Sequence, residues 1–141
     1  MYYASQTDRQ HALRKLAHHR LVARCLRGEK GDDLLDRALG VFRSMETAYG
    51  ETPFVSGWRE VLRHDRHEIA RRILARDDVM ETLRESSPFM QVHGFDIGRD
   101  MPIDFRDPAI RGRMWKLAKR LAMIEPRQPE VHACAQTVPK P

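Results

Sequence analysis

The sequence predicts an all-α fold, a compact bundle of five to six helices with a long ordered loop before the last helix and a disordered C-terminal tail. Apolar residues recur three and four positions apart through most of the chain, which is the period of a helix packed on one side. Capping residues precede several of these stretches, and glycines or prolines follow them. No stretch alternates convincingly between apolar and polar residues, so no strand is predicted.

The composition supports one modest hydrophobic core, because 41% of the 141 residues are hydrophobic and 32% are charged. We therefore predict a single helical domain over residues 1–125, followed by a flexible tail over 126–141. No apolar run approaches the roughly 18 residues of a membrane span, and the N-terminus lacks the features of a secretory signal. Cys25 and Cys134 belong to no CxxC motif, so we expect no disulfide and a reducing, cytoplasmic location.

Residues 8–50 predict a helical hairpin. The first helix follows Thr7 as N-cap and ends near Gly28, and the second follows Asp32 as N-cap and ends at Gly50. The apolar stripe of the first helix is Ala12, Leu16, His19, Ala23 and Leu26. The stripe of the second helix is Leu35, Ala38, Phe42, Met45 and Tyr49.

Residues 51–89 predict three short helices that end in the sequence Ser-Ser-Pro-Phe. Thr52, Asp65 and Asp77 are the expected N-caps. Pro88 disfavours helix in the residue before it, which ends the third helix. The three helices are predicted over 53–63, 65–75 and 77–85.

Residues 90–107 predict the ordered loop, and residues 108–125 a basic amphipathic helix. The core stripe of this last helix is Ile110, Met114, Leu117, Leu121 and Ile124. Trp115 lies nearly opposite Leu117 around the helix axis, so the helix has apolar character on two faces. The second face would meet the 90–107 loop, a second copy of the chain in a homodimer, or a partner protein.

The net charge of +5 is unevenly distributed along the chain. Residues 1–30 hold seven basic and two acidic residues, and residues 108–125 hold five basic residues and one acid. The stretch 31–107 has eleven basic and sixteen acidic residues. This pattern predicts two electropositive helices that meet phosphate, an acidic partner or the acidic middle of the chain. Solvated helix faces with internal pairing explain it equally well.

Histidines are the only candidate metal ligands. His18-His19 and His64-x-x-His67 have spacings that share a helix face, but the second pair straddles a predicted helix start. No nearby Cys or Glu completes a tetrahedral set with either pair. We therefore predict no metal and no cofactor, and interpret His19 as a hydrogen-bonded core or interface residue.

Catalytic residues are not predicted. Ser86 and Ser87 lie in no nucleophile elbow, and no His and Asp can be assigned to them. Serines at a helix end more often satisfy backbone groups. A metal-dependent enzyme is the third and least favoured functional reading.

Nucleic acid is an alternative partner. Four basic residues of the last helix lie within one arc beside the apolar stripe and would bind the phosphates of promoter DNA: Arg113, Lys116, Lys119 and Arg120. The three short helices have lengths typical of a helix-turn-helix unit. Their charge is balanced, which argues against their reading a groove.

The stretch from about 10 to 98 resembles a family of small bacterial proteins. Members of that family place two helices before a W-x-x-x-L segment, a short helix and a signature close to LRxSSPF. The corresponding stretches here are WREVL at 58–62, EIARRIL at 68–74 and LRESSPF at 83–89. The chain departs from the family after Phe89, where MQVHGF and the basic helix extend it. Members of the family resemble the antitoxin components of toxin–antitoxin pairs.

The resemblance implies a non-enzymatic module that neutralises a cognate, toxin-like partner protein by direct binding to an acidic surface of it. The residues it implies for partner binding are Arg84, Ser86, Ser87, Pro88 and Phe89. Outside the resemblance, the second apolar face and the basic arc of the last helix make Trp115 part of a second candidate surface. A rigid turn that presents an aromatic ring would lower the entropic cost of docking. The alternative is that Phe89 folds back as an ordinary core residue that closes the helix end. A docking role for this turn needs the ring to face outward, whereas the alternative places it in the core.

Overall fold

Six α-helices and a 3₁₀ turn build the described part of the chain, an all-α bundle as the sequence predicts. The computed structural model describes residues 6–92, 95–96, 102–103 and 108–124. In these residues the helices are α1 Gln6–Arg27, α2 Gly31–Tyr49, α3 Pro53–Leu62, α4 Arg66–Arg72, α5 Asp78–Arg84 and α6 Pro108–Ile124. A 3₁₀ turn, Pro88–Gln91, follows α5.

The predicted 90–107 loop is only partly described. It contains the end of the 3₁₀ turn and two strands that the sequence does not predict, β1 Phe95–Asp96 and β2 Pro102–Ile103. The strands pair antiparallel with Phe95 opposite Ile103, and they are too short to alter the fold class. The predicted domain boundary at 125 and the tail 126–141 lie outside the described residues.

The short helices begin where their caps predict. Thr52, Asp65 and Asp77 each accept a hydrogen bond from the backbone N–H three residues later, at 3.4, 2.9 and 2.8 Å respectively. These bonds satisfy N–H groups that the first turn of a helix leaves without a partner. Gly50 ends α2 with a φ of 65°, a left-handed conformation that glycine adopts without strain.

Two predicted N-caps are wrong. Helix α1 already includes Gln6, so Thr7 lies in the first turn. Helix α2 begins at Gly31, and Asp32 lies in its first turn with its carboxylate 3.3 Å from the Arg66 guanidinium. The pairing with Arg66 and the attraction of a helix N-terminus for negative charge both suit Asp32 there.

The buried face of α2 keeps three residues of the predicted stripe, Ala38, Phe42 and Met45, and differs from it at both ends. Leu34 is fully buried and Leu35 only partly, whereas Tyr49 is 61% exposed. At the start of the helix, Gly31 is also buried and packs closely against the Leu26 carbonyl at the end of α1. Tyr49 instead stacks edge-on against Phe54 at 5.4 Å between ring centroids.

Helix α1 is the centre of the bundle, because α2, α4, α5, α6 and the 3₁₀ turn all pack against it. The five residues of its predicted stripe are buried, and so are residues between them. This wide burial arises because α6 covers a second side of α1 that the stripe alone would leave exposed. Helix α6 itself buries Met114, Ala118 and Leu121. In the described part of the chain, no helix combines the length and apolarity needed to cross a membrane.

Candidate functional site

The Ser-Ser-Pro-Phe turn lies inside the molecule. Phe89 has no exposed surface, Ser87 is 1% exposed and Pro88 is buried. The Phe89 ring packs edge-on against Trp58 with 6.1 Å between centroids. The prediction that the turn faces outward as a docking element is therefore wrong. Burial of the large apolar ring beside a second aromatic residue outweighs any gain from presenting it to water.

Arg84 is also buried, at 2% exposure, and is not available to a partner in this fold. Its guanidinium donates hydrogen bonds from Nη1 to the carbonyls of Ile73 and Ala75, at 2.8 and 2.9 Å. These carbonyls lie just after the last turn of α4, where no further helical N–H is available to bond them. The side chain that the resemblance implies for partner binding thus closes the end of a neighbouring helix.

Ser87 joins the turn to the central helix. Its hydroxyl accepts a hydrogen bond from the Phe89 N–H at 3.2 Å and donates to His19 Nε2 at 2.8 Å. His19 Nδ1 donates to the Lys15 carbonyl at 2.7 Å, and this bond assigns the tautomer. The prediction that His19 is a hydrogen-bonded core histidine is confirmed.

This serine–histidine pair has the geometry of a nucleophile and its base, but it is sealed. Ser87 is 1% exposed and His19 has no exposed surface, so no substrate atom reaches the hydroxyl in this conformation. Ser86 is partly exposed and donates to the Leu83 carbonyl at 3.3 Å. Both serines therefore satisfy groups within the protein, as the helix-end interpretation predicts.

The residues of the resemblance meet in one place, which we call the signature cluster: Trp58, Leu83, Arg84, Ser87 and Phe89. Trp58 is fully buried and its Nε1–H donates to the Leu83 carbonyl at 2.8 Å. The cluster thereby ties α3, α4, α5 and the 3₁₀ turn to α1. The residues of the cluster stabilise the packing of these elements and are not placed to contact a ligand.

The two adjacent histidines of α1 are neutral near pH 7. Desolvation by burial lowers the pKa of His19 to about 3, against the opposing effect of its bond to Lys15. Burial is the main cause that lowers the pKa of His18 to about 3, followed by the electrostatic interaction with His19 and by the positive charges of Arg14, Lys15 and Arg111. His18 Nδ1 lies 3.0 Å from the Met90 sulfur.

The candidate metal ligands do not converge in the described residues. His64 Nε2 lies 3.8 Å from a Glu60 oxygen, and His67 is exposed. Within the described ranges, no three His, Cys, Asp or Glu side chains come together as a set of metal ligands.

Trp115 packs partly against α1. The Arg14 guanidinium carbon lies over its ring at 5.0 Å from the centroid, and the His11 ring meets it edge-on at 5.4 Å. The indole remains half-buried, so its face is shared between α1 and solvent. The sequence predicts that Trp115 lies on a face of α6 turned away from the core of the bundle. The structure corrects that prediction, because two residues of α1 contact the indole. Arg14 and His11 were not predicted as its neighbours, since their link to Trp115 depends on how α1 and α6 pack.

The basic residues of α6 are exposed together. This set is Arg113, Lys116, Lys119 and Arg120. In the part of the chain that the structure describes, none of the four forms an ion pair. Met123 lies among them on the same side of the helix and is 85% exposed. We call these five residues the α6 outer face.

Helices α1 and α6 run antiparallel, because Arg111 acts electrostatically on Arg14 and His18 while Trp115, one turn later, meets His11 and Arg14. The two basic segments of the sequence are therefore neighbours in space. Helix α1 adds exposed Arg20, Arg24 and Arg27 beyond the start of α6. No protein-family model, curated protein or solved structure matches the chain.

Proposed function

We propose that this protein is a non-enzymatic, antitoxin-like interaction module that neutralises a partner protein by binding an acidic surface of it. The contact surface is the α6 outer face together with the exposed part of Trp115. The observation that carries the proposal is the array of four exposed α6 cations beside a tryptophan already stacked under an arginine. Ser87, Pro88, Phe89 and Arg84 are buried and do not contact the partner.

The physical case depends on charge and preorganisation. Tryptophan and arginine are the residues that most often anchor protein interfaces, because each offers a large area and directional donors at a small entropic cost. Exposed cations that no carboxylate of the described residues neutralises attract an acidic surface and raise the rate at which it docks. Stacking holds Arg14 and Trp115 in place before the partner arrives, which lowers the cost of ordering them.

The test is neutralisation of a neighbouring gene product. Each product encoded beside this gene is expressed alone, and any that arrests growth is then co-expressed with this protein. We expect growth to recover and the two proteins to copurify. The variant Lys116→Glu/Arg120→Glu should lose both effects, because it places two negative charges against an acidic partner.

A matched control is Arg43→Glu/Arg63→Glu, which reverses two exposed charges elsewhere. Arg63 pairs only with exposed Glu60, an interaction of small energetic value. This control should neutralise the partner like the parent protein. Equal neutralisation by the α6 variant, or no neighbouring product that binds, contradicts the proposal.

A second candidate function is direct binding of promoter DNA by the same helix. It is favoured by the absence of carboxylates paired with the four α6 cations in the described residues. Affinity for the promoter should then fall steeply with salt, and removal of one cation should reduce the slope of that dependence by about one. Equal affinity for random DNA, or a salt slope unchanged in Lys116→Gln, would exclude a specific DNA site on α6.

A further inference from the structure

We propose that Arg14 and Arg111 form a binding site for a single oxyanion at the seam between α1 and α6, with Trp115 as its wall. The ligand is a carboxylate or phosphate group, and the two share the chemistry that a guanidinium pair recognises. This proposal deepens the proposed function, because such a group is what an acidic partner would insert. Its test needs no partner, so the two proposals can fail separately.

The first observation is the placement of the two arginines. Arg14 lies over the Trp115 ring, and Arg111 stands four residues before Trp115 on the same side of α6. A guanidinium stacked on an indole keeps its donor edge free and fixed in direction. The two cations are near enough that Arg111 lowers the pKa of Arg14, second to the effect of burial.

The second observation is an unused donor. Arg14 Nε is buried and has no hydrogen-bond partner among the described residues. A buried N–H without an acceptor costs about 1–3 kcal/mol, more when the group is charged. An oxyanion bound at the solvent-facing edge of the seam would offset this cost and the repulsion between the two guanidiniums, without contacting the buried Nε–H itself.

The third observation is the local balance of charge. Lys15 lies beside Arg14 and forms an ion pair with Glu85 at 3.5 Å. Glu85 also raises the pKa of Arg14, because its negative charge stabilises the guanidinium. Among the described residues, it is the only acid placed here with the three cations Arg14, Lys15 and Arg111. His18 lies under the same cations and stays neutral. The seam therefore keeps an excess positive charge after Glu85 is counted.

The test is a titration followed by ¹H–¹⁵N NMR on the full chain. The Trp115 indole N–H, assigned with Trp115→Phe, and the Arg14 Nε–H are observed while sodium phosphate or sodium glutarate is added at constant ionic strength. We expect both signals to shift and saturate, and the Trp58 indole signal to stay in place because it is bonded inside the core. Saturation with phosphate alone assigns a phosphate ligand, and saturation with glutarate alone a carboxylate ligand.

Two variants and a control make the result decisive. Arg111→Gln removes an exposed side chain that contributes nothing to the core, and it should weaken binding about tenfold or more. Arg14→Gln should do the same and abolish the Nε–H signal. Arg43→Gln, which changes an exposed arginine on α2, should bind like the parent. The proposal is overturned if both anions give only the linear shifts seen with chloride, or if Arg111→Gln binds as tightly as the parent.

Discussion

A single hydroxyl group, that of Ser87, shows how the Ser-Ser-Pro-Phe turn is held. It serves at once as the N-cap of the 3₁₀ turn and as the donor to a fully buried imidazole. Removing it leaves His19 Nε2 without a donor in a site that water does not reach. Such an orphaned group costs the full desolvation penalty rather than the small net value of one hydrogen bond.

We therefore expect Ser87→Ala to lower the free energy of unfolding by about 1–3 kcal/mol. Ser86→Ala is the matched control, because that hydroxyl is partly exposed and its acceptor, the Leu83 carbonyl, already receives the Trp58 N–H. It should cost less than about 1 kcal/mol. Urea denaturation of both variants measures the difference, and equal losses would contradict the role given to Ser87.

The two buried histidines predict acid sensitivity. The pKa of each is about 3 in the folded chain and near 6.5 when unfolded, so the unfolded chain binds more protons between these values. The free energy of unfolding should thus fall as the pH falls from about 6.5 towards about 3, by about 1.4 kcal/mol per pH unit for each histidine. The loss should be complete at the low end of that window.

The measurement is urea denaturation at a series of pH values. His18→Gln should reduce the pH slope, whatever its effect on stability at neutral pH. Met123→Ala, which changes an exposed residue that does not titrate, should leave the slope unchanged. A parent protein whose stability is flat between about pH 7 and about pH 5 would contradict the burial of both imidazoles in neutral form.

At the scale of elements, the turn between α1 and α2 depends on close backbone approach. Gly31 packs against the Leu26 carbonyl, and a Cβ there would also stand 2.7 Å from the Arg66 guanidinium. That guanidinium donates to the carbonyls of Leu26 and Gly28, which lie at the end of α1. The clash with the Leu26 carbonyl cannot be relieved at low energy, because a shift of the Leu26 backbone would also shift the core.

Gly31→Ala should therefore destabilise the protein by about 2 kcal/mol or more, as overpacking at a buried position does. Gly40→Ala is the contrasting variant, because nothing lies within 4 Å of a Cβ at that helical position. It should raise the free energy of unfolding by up to about 1 kcal/mol through helix propensity. Thermal denaturation of the pair tests both signs, and a stabilised Gly31→Ala would contradict the packing of the turn.

Elements were predictable from the sequence where local chemistry decides them. The caps at Thr52, Asp65 and Asp77 act within three residues, so a spacing rule finds them. The burial of Leu34 in place of Leu35 was not predictable, because it depends on how the start of α2 packs against the end of α1. The strands β1 and β2 escape a pattern rule because two residues are too few to show alternation.

At the scale of the whole molecule, α6 is part of the core and not an appendage. Met114 is 4% exposed, whereas Met123 on the outer face is 85% exposed. Met114→Ala should lower the free energy of unfolding by about 2–5 kcal/mol, and Met123→Ala should leave it nearly unchanged. Circular dichroism and the fluorescence of the two tryptophans should report one coincident transition in both variants. Separate transitions would show that α6 unfolds independently.

The candidate surface was only half predictable at this scale. The exposed arc of Arg113, Lys116, Lys119 and Arg120 follows from helical spacing, and the structure places all four in solvent. The inward turn of Phe89 does not follow from spacing, because it requires Trp58 from another helix to complete the site. The pairing of Arg14 with Trp115 likewise joins residues a hundred positions apart.

The burial of the signature cluster bears on how such proteins should be compared. Within LRESSPF only Glu85 and Ser86 reach the surface, and the other five side chains are enclosed by the helices they join. A second chain that carried the same seven-residue pattern would thus be expected to share this architecture, but not necessarily its binding partner. The choice of partner would depend on exposed side chains such as the cations of α6, which can be exchanged without loss of the interior packing.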